Sequence, residues 1–318
     1  MPKKIKRFIT SLILIILALA LAYILYVRNY NMKYKDINLK DFKAIEYIKV
    51  ADEASKGKLQ VNWKQVAAIE GVIYKNDFTL SSDMTKLELS NKFLEQNQGQ
   101  FKVKESAYRL LSMDEVMTEL GFKSKERERA NKYLEDLAYK GTLKEELSKD
   151  SIQTEFINSI KDEAMNGYVK YGIFPSVTIA QAILESGWGE SELTVKANNL
   201  FGIKADSSWK GEKISMKTSE YNNEMITDNF RVYDNKNDSI NDHREFLYKN
   251  PRYKGSGVFN CTHYIEQVQA IEKGGYSTAE NHKGEKIYSE LLTTVIRDYN
   301  LQLVDYEVEM NYLTGKIK

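Results

Sequence analysis

The sequence predicts a mainly α protein (α+β): one N-terminal transmembrane helix, a small helical domain, and a larger helical domain carrying a small β-hairpin. Three observations carry the prediction. Residues 8–27, FITSLILIILALALAYILYV, are uncharged. Apolar residues recur at helical spacing through most of the chain beyond residue 45. KISMKTSEY at 213–221 and MITDNFRVY at 225–233 alternate like strands around Asn222 and Asn223, which supply turn chemistry.

A chain of 318 residues exceeds the usual single domain. With 42% hydrophobic and 29% charged residues, it is too apolar for a disordered chain and can bury a sizeable core. The net charge is +1, acids and lysines are interspersed, and no basic cluster carries interleaved aromatics, so nucleic acid is not an expected partner. Cys261 is the only cysteine, which excludes an intrachain disulfide and a cysteine zinc site. His243, His263 and His282 lack HExxH spacing, so no metal and no cofactor is expected.

About 20 apolar residues suffice to cross a hydrocarbon layer of roughly 30 Å. Lys3, Lys4, Lys6 and Arg7 precede the stretch, so the positive-inside rule makes residues 1–7 a cytoplasmic tail, 8–27 the anchor, and the chain from residue 28 onward extracellular. A cleaved signal peptide is the competing reading, because ALALA at 18–22 offers small residues; the length of the apolar run favours the anchor. Tyr23 and Tyr26 suit an interfacial belt. Residues 28–45 are a polar tether, and 46–149 the small helical domain. Within it, VNWKQVAAIEGVIY presents Val61, Val66, Ile69 and Ile73 as one stripe, and RANKYLEDLAYKG ends on Gly141. Glu70 is expected to be an ordinary helix-surface carboxylate.

A second domain begins near residue 150. IQTEFINSIKDEAMNGYVKYG places Ile152, Phe156, Ile160 and Ala164 on one face and closes at Gly172. FPSVTIAQAILESGWGES then starts a helix at Pro175 with Ser176 as a cap. Val177, Ala180 and Leu184 mark its buried side, and Thr178, Gln181 and Glu185 another stripe. Glu185 thus falls in the last turn, where the negative end of the helix dipole disfavours a carboxylate. Were Trp188 also to cover the carboxyl, desolvation would raise its pKa further, toward that of a general acid. A solvent-facing Glu185 at a frayed helix end fits the spacing equally well.

AQAILESGWGES, KANNLFGIKA, WKG, TSEY, FRVYD and GGYST occur in that order. The set, spread over residues 150–300, resembles the glycoside hydrolase family 73 glucosaminidases, bacterial enzymes that cut peptidoglycan glycan chains. The anchor and helical segment additionally resemble membrane-bound, SagB-like members. The resemblance implies a lysozyme-like catalytic domain over 150–303, the hairpin bordering a glycan cleft, and Glu185 as the acid that protonates the glycosidic oxygen. Glu220, near the hairpin tip, is the candidate base. An inverting mechanism, a nucleophilic carboxylate and participation by the 2-acetamido group all stay open. The NNLFG run implies that Asn198, Asn199 and Phe201 shape the cleft floor, with Gln181 and Trp209 as further substrate contacts. Tyr233, Tyr253 and Tyr276 are candidates for stacking on sugars, with Tyr276 of GGYST preferred and placed among the catalytic residues. Peptidoglycan strands are the implied partner, the membrane a second, and a polytopic membrane protein a third.

Later segments read as structural. Residues 239–242 form a capping box for a helix with His243 on its surface, 284–300 is an amphipathic helix, and the tail 304–318 alternates like a strand. Competing functions are a lytic transglycosylase or muramidase on the same frame, a cysteine peptidase using Cys261 and His263, and a non-catalytic wall-binding scaffold.

Overall fold

The computed structural model describes residues 2–33, 35–96, 107–143, 147–220 and 224–316. The chain is mainly helical with two small antiparallel strand pairs. Helix α1 (Lys3–Lys33) contains a stretch, Lys3–Arg28, long and apolar enough to cross a membrane, and none of it is buried against the rest of the chain.

The first core is built by α2 (Ala44–Ser55), α3 (Trp63–Ile73), α4 (Asp83–Asn91), α5 (Met113–Glu119) and α6 (Ser124–Asp136), with strands β1 (Leu94–Gln96) and β2 (Tyr108–Leu110) paired at its edge. Its side chains include Ile48, Trp63, Ile69, Phe93, Val116 and Tyr133, all fully buried. Glu70 departs from expectation. It lies at 1% exposure and accepts hydrogen bonds from the Tyr47 hydroxyl and, at 2.9 Å, from Ser81 Oγ. Neighbouring elements converge on α3 there, so its carboxylate binds hydroxyls inside the core and not water.

The second core gathers around α8 (Pro175–Ser186), in which every residue from Pro175 to Ile183 is buried. It is packed by α7 (Ile152–Tyr171), with α9 (Glu192–Ala197), α10 (Lys236–Lys249), α11 (Pro251–Ser256), α12 (Tyr264–Lys273), α13 (Tyr288–Asp298) and α14 (Gln302–Leu313) completing the shell. Gly172 closes α7 in the left-handed region at φ 72°, as its place in the sequence predicts. Pro175 takes the first turn of α8. Ser176 is inside the helix, not its cap, and its Oγ donates to Asp305 Oδ2 at 2.5 Å. α7 and α10 approach closely at Gly167, where any side chain would collide with the buried Arg244.

Three expectations fail in this shell. The helix around residue 240 starts at Lys236 with Asn235 as its cap, so Ser239 is interior and its Oγ accepts the Leu200 N–H at 3.0 Å. His243 is wholly buried. The tail is the helix α14 and not a strand: Val304, Tyr306, Val308 and Met310 alternate, but the i, i+4 pair Val304 and Val308 is what enters the core.

The two cores meet along a polar seam. Asp52 of α2 accepts from Tyr264 at 2.7 Å and from Arg297 at 2.9 and 3.0 Å. Trp63 Nε1 donates to Asn300 at 3.2 Å, and the Gln60 N–H to Glu309 at 2.7 Å.

Candidate active site

Glu185 occupies the last turn of α8, which Gly187 terminates in the left-handed region at φ 54°. Gly187, Trp188 and Gly189 all have positive φ, a tight coil that only the two glycines adopt without strain. The coil turns Trp188 away from the role the sequence suggests. Its ring stands edge-on to Phe156 and Tyr299, at centroid distances of 5.9 and 4.6 Å. The ring that meets the acid belongs to Tyr288, at the start of α13, whose hydroxyl donates to Glu185 Oε1 at 2.7 Å.

The side chain of Glu185 is exposed. Protein nonetheless crowds its carboxyl, and that burial raises the pKa above the usual glutamate value, the Tyr288 hydrogen bond opposing the shift. Glu185 is thus open to solvent along its side chain while its carboxyl is crowded by protein. Burial also holds the Tyr288 and Tyr276 hydroxyls protonated, and that of Tyr288 donates to Glu185.

Behind the acid runs a chain of rings and hydroxyls. Gln181 Nε2 donates to the Tyr288 oxygen at 3.2 Å. Tyr276 stacks on Tyr288 at 5.5 Å, and its hydroxyl meets His243 Nε2 at 3.1 Å. His243 in turn stacks on Phe201 at 3.8 Å. Burial pushes the His243 pKa down to about 3, so the ring is neutral at any working pH. Sequence reasoning missed Tyr288 and His243 here, because each reaches the site from a helix distant in sequence.

The hairpin is β3 (Lys213–Glu220) paired with β4 (Glu224–Arg231), in register from Lys213↔Arg231 to Glu220↔Glu224. Glu220 closes β3 at the tip. Its side chain lies outside the described residues, as do Asn222 and Asn223. The hairpin base is clamped by the NNLFG loop. Asn199, 1% exposed, donates to the carbonyls of Ile203 and Arg231 at 3.0 Å each, and Asn198 donates to the Tyr233 carbonyl at 3.0 Å. Both amides are thus committed to backbone. Gln181, Phe201, Tyr233 and Tyr253 are buried rather than presented to a sugar. Tyr233 donates to Asp242 at 2.6 Å, and Tyr253 packs at 6.3 Å from Tyr276. Trp209, half-buried, lies under the Arg231 guanidinium at 4.7 Å and donates to the Glu212 carbonyl at 2.8 Å.

Cys261 and His263 are not assembled as a nucleophile and base. The thiol donates to the Gly257 carbonyl, while His263 Nδ1 caps α12 through the Ile265 N–H. Among the described residues, no group of three or more His, Cys, Asp or Glu side chains is gathered as metal ligands.

Residues 161–301 match the glucosaminidase family, described as mannosyl-glycoprotein endo-β-N-acetylglucosaminidase. An exo-glucosaminidase, LytG of Bacillus subtilis, is 34% identical over 170 residues, 50% of this chain and 57% of that protein. The peptidoglycan hydrolase FlgJ of Vibrio parahaemolyticus is 38% identical over 129 residues, 39% and 42% of the respective chains. The match thus spans about half the length of these relatives. The catalytic domain of the Listeria monocytogenes autolysin Auto is 33% identical, with 57% of this chain and 98% of that one covered and a TM-score of 0.44.

Proposed function

Residues 161–301 belong to the glucosaminidase family, and on that premise we propose that the protein is a membrane-anchored endo-β-N-acetylglucosaminidase hydrolysing GlcNAc-β-1,4-MurNAc bonds of peptidoglycan. The carrying observation is Glu185: an exposed side chain whose carboxyl has its pKa raised by crowding, with one oxygen held by a tyrosine. The oxygen that accepts from Tyr288 is the poorer site for a second proton, so the acidic proton resides on Oε2 and passes from there to the glycosidic oxygen. As the bond breaks, Oε1 gains charge and the Tyr288 hydrogen bond strengthens, stabilising the carboxylate that forms. Helix α1 anchors the enzyme, and the catalytic domain faces the wall.

Mass spectrometry of digested glycan strands tests the reaction. Products ending in reducing GlcNAc support it; reducing MurNAc or 1,6-anhydro ends overturn it in favour of a muramidase or a transglycosylase.

Tyr288→Phe is expected to lower kcat by about 10- to 100-fold, the worth of a hydrogen bond to a charged group. It also removes the interaction that lowers the Glu185 pKa, so the alkaline limb of the pH–rate profile should move to higher pH. An unshifted limb would deny Tyr288 its link to the acid.

Glu220, the last residue of β3 at the hairpin tip, is the proposed base. Glu220→Gln should reduce kcat by about 100-fold or more with KM little changed, as loss of general-base catalysis does. Full activity in that variant would transfer the role to another carboxylate or to the substrate's acetamido group.

A further inference from the structure

We propose that the segment from the end of α3 to the first turn of α4 is a second membrane contact, with Leu80 and Met84 seated at the boundary of headgroups and acyl chains in the bilayer that α1 spans. The inference rests on the reading of α1 as an anchor. Its first support is exposure: Leu80 is 60% and Met84 68% accessible, and Ile73 at the end of α3 is 42%. Large apolar side chains clustered within a dozen residues are candidates for a surface partner, although singly they would mean little.

Covalent connectivity identifies the partner. The chain leaving α1 is pinned to this segment almost at once. The Asn38 N–H donates to Asn76 Oδ1 at 2.7 Å, Asn38 Nδ2 to the Asn76 carbonyl at 3.1 Å, and Asn76 Nδ2 to the Asp36 carbonyl at 2.8 Å. Ile37 is buried between them, and its N–H donates to Asp136 at 3.0 Å. From Arg28 to Lys33 the helix rises about 8 Å, which is roughly the depth of one headgroup layer. From Lys33 to Asp36 the chain extends at most about 11 Å. The Asn76 turn is therefore held within roughly 15 Å of the outer edge of the headgroups. A folded body of radius near ~20 Å, tied that closely, rests on the bilayer with the surface around its tie point.

The segment beside the tie is short and tightly wound. The Asp77 N–H donates to the Tyr74 carbonyl and the Leu80 N–H to the Asp77 carbonyl, so Leu80 stays near Asn76. Its charges are mixed: Lys35 and Lys75 are exposed, and so are Asp77 and Asp83. Apolar insertion, rather than attraction to anionic lipid, thus carries the contact. Two attachments, one spanning and one resting, would fix the height and orientation of Glu185 above the membrane.

The test uses the full chain with Cys261→Ser, reconstituted into phosphatidylcholine–phosphatidylglycerol vesicles containing nitroxide on the acyl chains. Single cysteines replace Ile16, Leu80, Met84 or Val195 and carry the same environment-sensitive fluorophore. Val195 is the control, being 72% exposed on α9. Labels at 80 and 84 should be blue-shifted and quenched like that at 16, while that at 195 is neither. Labels at 80 and 84 that behave like that at 195, with 16 quenched, overturn the contact and leave the anchor standing. An unquenched label at 16 removes the anchor and the contact together.

Discussion

Glu185→Gln is expected to abolish wall hydrolysis, lowering kcat/KM by about 100- to 10,000-fold, the range that general acid catalysis supplies. The substitution keeps the shape of the side chain, and its amide oxygen can still accept from Tyr288, so the surroundings are preserved while the transferable proton is removed. Stability separates this result from misfolding. The Glu185 pKa is raised in the folded chain, so its contribution to stability is full below the unfolded value, 4.5, and is lost as pH rises through the folded one. Glutamine carries no such dependence. The variant should therefore melt no lower than the parent at neutral pH while its activity is gone, the pairing expected where a site holds a group in an unfavourable state. The parent's kcat/KM should correspondingly fall as pH rises through the raised Glu185 pKa. Digestion by the variant at the parent's rate would remove Glu185 from the mechanism; inactivity of both would favour a wall-binding role.

The position of Glu185 is legible in the sequence because its cues are local. The apolar run of α8, the proline at its start and the Gly-Trp-Gly that ends it all lie close together in the chain, and short-range sterics suffice to place the carboxyl in a last turn. Its partner is not legible. Tyr288 is 103 residues away, and nothing in GEKIYSELL distinguishes a tyrosine that packs from one that reaches an acid. NNLFG misleads differently: paired amides suggest sugar hydroxyls, yet a loop that must clamp a hairpin has carbonyls to satisfy, and Asn198 and Asn199 satisfy them. The tail misleads because residues alternating with period two also contain an i, i+4 subset, and burial against α7 and α8 selects the helix. Glu70 and His243 look like surface groups by residue type alone. Their burial depends on partners from other elements, which no local window contains.

The largest expected loss of stability comes from Asp52→Ala. Asp52 is 2% exposed at the seam between the two cores, and burial raises its pKa to about 6 against the pull of Tyr264 and Arg297. Removing it leaves the buried Tyr264 hydroxyl without its acceptor and the half-buried Arg297 guanidinium without its carboxylate. Breaking such a cluster costs about 3 kcal/mol, equivalent to a fall in Tm of roughly 6–12 °C for a body this size. The pH dependence is fixed by the sign of the shift. A carboxyl with a raised folded pKa contributes stability that is complete below 3.8 and lost as pH climbs to about 6. Asp52→Asn should therefore flatten the parent's decline in Tm between those values, while Asp52→Ala lowers the whole curve. The seam is tied to the proposed acid through α13, because Arg297 lies in its last turn and Tyr288 at its first residue, about 14 Å apart along one helix. If α2 holds α13 in place through Asp52, Asp52→Ala measured well below its melting temperature should reduce kcat in the same direction as Tyr288→Phe. Unchanged kcat with a lowered Tm would confine Asp52 to stability, and an unchanged Tm would mean that the cores adhere without it.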